Sequence, residues 1–161
     1  DARGGANGDI LSGRGFAFSM YKNLACHNAV VADVEVNRKT GEVRVVKAYS
    51  AVDAGLSVNP DGVVNQIEGG IIQSASWTLN ESLKFDRSGV KTKSWADYPI
   101  LRFTQVPAVE VEIIQRPNER SLGVGEGSQG PAAAAIANAF ANATGKRIRS
   151  IPLKNHGITM V

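Results

Sequence analysis

The sequence predicts an α+β fold: mixed antiparallel strands with two main helices, over about 60–80 and 131–144. Three observations carry this. Two alternating runs, 29–36 and 42–49, flank a turn. A capped run with apolar residues every four positions begins at Pro60. An alanine-rich run from Pro131 ends at Gly145. Strands and helices do not follow each other in regular β-α order, which favours α+β packing over a doubly wound sheet.

Residues 1–15 are glycine-rich and aperiodic, and read as a loop-like lead-in. In Ala29–Val36, Asp33 and Glu35 share one face and Val34 and Val36 the other, the pattern of a strand with one wet side. Asn37 to Gly41 turns the chain, and Glu42–Tyr49 returns as the second strand of an antiparallel hairpin. Asn59 is placed to cap the first helix, Pro60 takes its first position, and Asp61 adds favourable charge in the first turn. Val63, Ile67, Ile71, Ala75 and Leu79 form the buried stripe, widened by Val64 and Ile72. Gly69 and Gly70 interrupt it at a cost of about 1 kcal/mol each relative to alanine. That cost predicts a close approach there, by another backbone or by a ligand.

Residues 83–104 alternate short extended pieces with turns, including Asp86-Arg87-Ser88-Gly89. Val109–Ile114 alternates again, with Val109, Val111 and Ile113 inward. Pro131 opens the last helix, and Gly145 stands where a left-handed residue ends it. Ser128 and Gln129 are candidate caps for that helix. Residues 16–153 read as one packed unit and 154–161 as a loose tail. Trp77 and Trp95 are expected to pack in the core, and Asp53 and Glu68 to be structural carboxylates.

A chain of 161 residues fits one domain with a real core, and 43% hydrophobic content is ordinary for a globular protein. The net charge is +3, and no basic block is interleaved with aromatics, which argues against a nucleic-acid partner. Lys146-Arg147-Ile148-Arg149 follows a helix end, where cations offset the macrodipole. The single cysteine, Cys26, excludes an internal disulfide framework and a multi-cysteine metal site. Beside His27 it reads as a small, apolar-tolerant side chain rather than a nucleophile. No run approaches the ~18 apolar residues of a membrane span, and no signal peptide is visible. The opening Asp1-Ala2-Arg3-Gly4-Gly5 has no Met and suggests a piece of something longer, leaving cytoplasm and periplasm both open.

One segment points to chemistry. Gly123-Val124-Gly125-Glu126-Gly127-Ser128-Gln129-Gly130-Pro131 sets one carboxylate among four glycines, ahead of the alanine-rich helix. Glycine lets backbone approach a bulky ligand, and a helix N-terminus favours anionic groups. The same pattern also serves as a plain structural connection.

Four ordered segments together resemble the C-terminal part of the molybdenum-binding subunit of the xanthine dehydrogenase and aldehyde oxidase family. They are Gly13-Arg14-Gly15-Phe16-Ala17, Val58-Asn59-Pro60 with Asn65-Gln66-Ile67-Glu68-Gly69-Gly70, Tyr98-Pro99-Ile100-Leu101-Arg102-Phe103, and Gly123-Val124-Gly125-Glu126 with Ala135-Ile136-Ala137-Asn138-Ala139. The Glu126-Gly127-Ser128-Gln129-Gly130-Pro131 form looks most like bacterial two-subunit members of the isoquinoline 1-oxidoreductase type, whereas xanthine oxidases have Glu-Pro-Pro at this point.

The resemblance implies a molybdenum hydroxylase that oxidises aldehydes or N-heteroaromatic carbons with oxygen from water. It implies a molybdopterin cofactor in dinucleotide form, and 2Fe–2S clusters on a partner chain, the small iron–sulfur subunit. By the same resemblance Glu126 is the general base toward a molybdenum-bound hydroxyl, and Gln66, Gly123, Val124 and Gly125 lie against the cofactor. An upstream molybdenum-binding domain of the same subunit would complete the pocket, so the fragment alone is expected to be inactive. The other reading is a non-catalytic ligand-binding or subunit-assembly domain that uses the 123–131 loop. It lacks the Lys-Ser/Thr ending of a nucleotide P-loop.

Overall fold

The computed structural model describes residues 6–156. Five strands form one sheet in the order β1 (Ala6–Asn7), β2 (Ile10–Met20), β3 (His27–Asn37), β4 (Val43–Asp53) and β7 (Ala108–Ile113). The first four are antiparallel neighbours, and β7 joins β4 in parallel. Between β4 and β7 run helix α1 (Pro60–Leu79) and a small hairpin of β5 (Phe85–Asp86) and β6 (Gly89–Val90). Helix α2 (Gln129–Thr144) follows β7 and lies across β2 and β3, with α1 beside it.

The β3–β4 hairpin forms where alternation predicts it. Val30, Ala32, Val34 and Val36 are buried, and Asp33 and Glu35 face outward. The inward residues of β4 change parity, from Val45 to Ala48, Ser50 and Val52, because the register slips between Asp33 and Val34. A bulge adds one residue to a strand and so switches which positions face the core. The buried pair Asn28 and Ser50 satisfies itself: the amide donates to the hydroxyl at 3.1 Å, and the hydroxyl donates back at 3.2 Å.

Asn59 caps α1 by accepting from the Gly62 N–H, and Pro60 holds the first helical position. Ile67, Ile71, Ala75 and Leu79 are buried as the periodicity predicts. The close approach expected at the glycine pair occurs at Gly70 alone, where a Cβ would collide with the Ser128 hydroxyl. A Cβ on Gly69 would meet nothing. Helix α2 buries Ala132, Ala135, Ile136, Ala139 and Phe140 and ends at Gly145 in the left-handed conformation.

The lead-in expected over 1–15 is corrected in part. Ile10–Gly15 belongs to an 11-residue strand, and residues 1–5 lie outside those described. Gly13 and Gly15 are buried under α2, and a Cβ on either would overlap the backbone of Ala139. They are glycines because a helix backbone lies on them. The tail begins later than expected too: Leu153–His156 forms a 3-10 turn with Leu153 buried, and 157–161 lie outside the described residues. Trp95 is exposed rather than packed, together with Leu83, Phe85 and Phe103 of the same segment.

Candidate cofactor-facing loop

The glycine loop is built by long-range ties on both sides. From α1, the Gln66 amide donates to the Gly125 carbonyl at 2.6 Å. From the β2–β3 connection, the Cys26 N–H donates to the Gly123 carbonyl at 3.3 Å. Gly127 sits on the buried Cys26 sulfur, so closely that a Cβ there would overlap it. The Leu122 N–H donates to Ala54 just past the end of β4 (2.9 Å), and within the loop the Gly127 N–H donates to Val124 (3.0 Å). The packing also explains why Cys26 is not a reactive thiol: burial pushes its pKa up and disfavours the thiolate.

Glu126 is exposed at the loop's tip, two residues before the helix. Its Oε2 accepts a 2.7 Å hydrogen bond from the Tyr21 hydroxyl. Among the described residues no hydrogen bond or ion pair is made to Oε1. Its carbonyl accepts from the Gln129 N–H, which starts α2.

A cavity of about 380 Å³ opens beside the loop, walled by Ala54, Leu56 and Ser57, by the first turn of α1, by Gln66, and by Val124 and Gly125. No charged residue lines it. The Ser57 hydroxyl in that wall is buried with no hydrogen-bond partner. A buried hydroxyl left unpaired is costly, so it marks where a polar ligand atom can bind. A Cβ on Gly125 would meet nothing, so the loop leaves open space on this side.

Gln66, Val124 and Gly125 therefore come together at one cavity, while Glu126 does not line it and faces Tyr21 instead. Gly123 is held from beneath by Cys26 and has open space where its Cβ would be. Neither proposed cap acts through its side chain. The Ser128 hydroxyl donates to the Ile67 carbonyl of α1 (3.0 Å), and the Gln129 amide donates to Gln73 (2.8 Å), so both tie the two helices together. Tyr21, Cys26 and Ser57 carried no sequence signal, because each acts on residues distant in the chain. Asp53 is structural as expected. The Gly55 N–H and then Arg116 hold its carboxyl below the usual range, and Arg116 also pairs with Glu119. Among the described residues no cluster of three His, Cys, Asp or Glu side chains could hold a metal ion. No described helix is long and apolar enough to cross a membrane.

Residues 7–107 match the molybdopterin cofactor-binding domain. The chain belongs to that family. The family match ends before β7 and the glycine loop, but similar proteins extend across both. The nicotinate dehydrogenase large chain of Pseudomonas putida is 47% identical over 92% of this chain. The isoquinoline 1-oxidoreductase beta chain of Brevundimonas diminuta is 36% identical over 87% of it. The chain spans only 13% of the first relative's length and 18% of the second's. Among solved structures, quinoline 2-oxidoreductase from Pseudomonas putida 86 superposes with a TM-score of 0.74 at 27% identity, over 83% of this chain and 18% of that one. Aldehyde oxidoreductase from Desulfovibrio gigas superposes with a TM-score of 0.70 at 28% identity, over 80% and 14%. For a molybdopterin-binding domain the loop cavity is a fitting surface: neutral, open at Gly125, and carrying one buried hydroxyl with nothing to bond.

Proposed function

We propose that this chain forms the end of the large subunit of a molybdenum hydroxylase acting on N-heteroaromatic carbons, with Glu126 as its general base. The observation that carries the reading is an exposed carboxylate on a loop held from both sides, with one oxygen tied and the other unbonded. A general base must be fixed within reach of the proton it takes, and fixed orientation is what this loop supplies. Two relatives named for nicotinate and isoquinoline support the heteroaromatic class over aldehydes.

When bound, a molybdenum pterin cofactor would supply the two-electron oxidation, with oxygen drawn from water. Gly123, Val124 and Gly125 would lie against it through backbone, Gln66 would keep Gly125 in place, and Ser57 would offer its unpaired hydroxyl. Oε1 of Glu126 would accept the proton while Oε2 stays bonded to Tyr21. The dinucleotide form of the pterin, the 2Fe–2S clusters on a small partner subunit and the upstream domain completing the pocket belong to the same proposal.

In the full-length enzyme, Glu126→Gln is expected to retain molybdenum and lose at least about 10²-fold in turnover, within the range for loss of a general base. Metal analysis and turnover of nicotinate or isoquinoline against benzaldehyde would check both parts. Near-normal turnover in the variant would remove Glu126 from the role. A preference for benzaldehyde would replace the substrate class.

A further inference from the structure

The residue that touches Glu126 comes from the opposite end of the chain. Tyr21 follows β2, in a tight connection to β3 whose next two residues, Lys22 and Asn23, have φ of 53° and 58°. Left-handed backbone is uncommon for residues other than glycine, and two in succession persist only where surrounding structure enforces them. Here the Tyr21 N–H donates to Cys26 at 2.8 Å, and the Ala25 N–H donates to Tyr21 at 2.9 Å, closing the turn. The Lys22 ammonium lies 5.2 Å from the centre of the Tyr21 ring. The connection then meets the glycine loop at three points: Tyr21 on Glu126, the Cys26 N–H on Gly123, and the Cys26 sulfur under Gly127. The phenol is thus anchored to the platform that carries the loop.

Resting on the assignment of Glu126 as the base, we infer that Tyr21 is its positioning residue. By donating to Oε2, the hydroxyl fixes the carboxylate's rotation and leaves Oε1 as the oxygen that receives a proton. A free glutamate on a solvent-exposed loop samples several rotamers, and the fraction in the productive one limits the rate. A short hydrogen bond from a half-buried phenol to a carboxylate removes most of that freedom.

The test uses the full-length subunit assembled with its partner chains. Tyr21→Phe keeps the ring and deletes the donor. The expected result is a drop in kcat of about tenfold, the size of one charge-assisted hydrogen bond, with KM and molybdenum content unchanged. In the Glu126→Gln background the same change is expected to cost nothing further, because there is no carboxylate left to orient. A readout independent of turnover is the infrared carboxylate band that Glu126→Gln abolishes, which should shift in Tyr21→Phe. An unchanged kcat or band in Tyr21→Phe, beside a dead Glu126→Gln, would overturn the positioning role and leave the base assignment standing. A loss in Tyr21→Phe that persists in the Glu126→Gln background, or that follows molybdenum content, would make Tyr21 a packing residue and overturn the inference. An active Glu126→Gln would overturn the base assignment itself and this inference with it.

Discussion

Two glycine-bearing segments of this chain put the residue to opposite uses. In β2, Gly13 and Gly15 lie under α2 so closely that any side chain would overlap the backbone of Ala139. In the loop, Cβ atoms on Gly123 and Gly125 would meet nothing, and only Gly127 is filled, by the Cys26 sulfur. The first segment needs glycine because protein already occupies the space. In the second the space beside the chain is open, and one wall of that opening carries an unpaired buried hydroxyl. Glycine in a sequence signals that something comes close; only packing says whether that something is the protein itself.

The largest effect should separate the two segments. Gly15→Ala would drive a methyl into helix backbone that cannot rotate aside, and is expected to destabilise by about 3 kcal/mol or more, the upper end of overpacking. Gly125→Ala is expected to change stability by less than about 0.5 kcal/mol, as for an unconstrained surface position. It should instead lower cofactor retention, because its methyl enters the loop cavity. Thermal unfolding and molybdenum content of the two full-length variants check this. Equal destabilisation at both positions would erase the distinction.

Gly127 lies between the two cases, and its predicted effect is smaller because its neighbour is a side chain. Gly127→Ala should push the loop off Cys26, displace Glu126 and reduce turnover between about 10- and 100-fold, the scale of a displacement of about 1 Å at a catalytic group. Adding Cys26→Ala removes the obstructing sulfur and should restore most of the loss. Kinetics of the single and double variants would show it; failure of the rescue would mean that Gly127 is needed for something other than space.

Sequence reasoning reached the parts whose signal is local. The hairpin from Ala29, the cap at Asn59, the buried stripe of α1 and the stop at Gly145 all follow from residues within a few positions of one another. It missed β2 for a definite reason. The strand's inward positions are Gly13, Gly15 and Ala17, kept small by α2, while Phe16 and Phe18 face outward, so the expected pattern of large apolar residues inward is reversed. The site was legible only as far as its loop. That Glu126 is met by Tyr21, 105 positions earlier, or that Ser57 lies in the cavity wall, depends on chain crossings that no spacing encodes. The parallel pairing of β7 with β4 is illegible for the same reason, since α1 and the small hairpin intervene.

The smallest predicted effect concerns how each segment is held. The Gly13 and Gly15 seam is apolar contact and should be indifferent to pH. The flank of the loop is held by charge: Asp53 accepts from the Gly55 N–H at 3.0 Å and from Arg116 at 2.9 Å, and Arg116 reaches Glu119 in the stretch leading to Leu122. These donors favour the ionised carboxylate, so its pKa is lowered in the folded state. A lowered folded value means the stabilisation is complete well above the unfolded value of about 4 and fades as pH falls through the folded one. Asp53→Asn should therefore cost about 1 kcal/mol near neutrality, and the difference from the parent should shrink as the pH is taken below about 4. The Gly55 turn has φ of 64° and Arg120 backbone where a side chain would stand, so without Asp53 little else fixes its path into the cavity wall at Ala54 and Leu56. Loop opening measured by amide exchange at Leu122 should consequently rise in Asp53→Asn at pH 7, and in the parent only on acidification, while exchange along β2 stays unchanged in both.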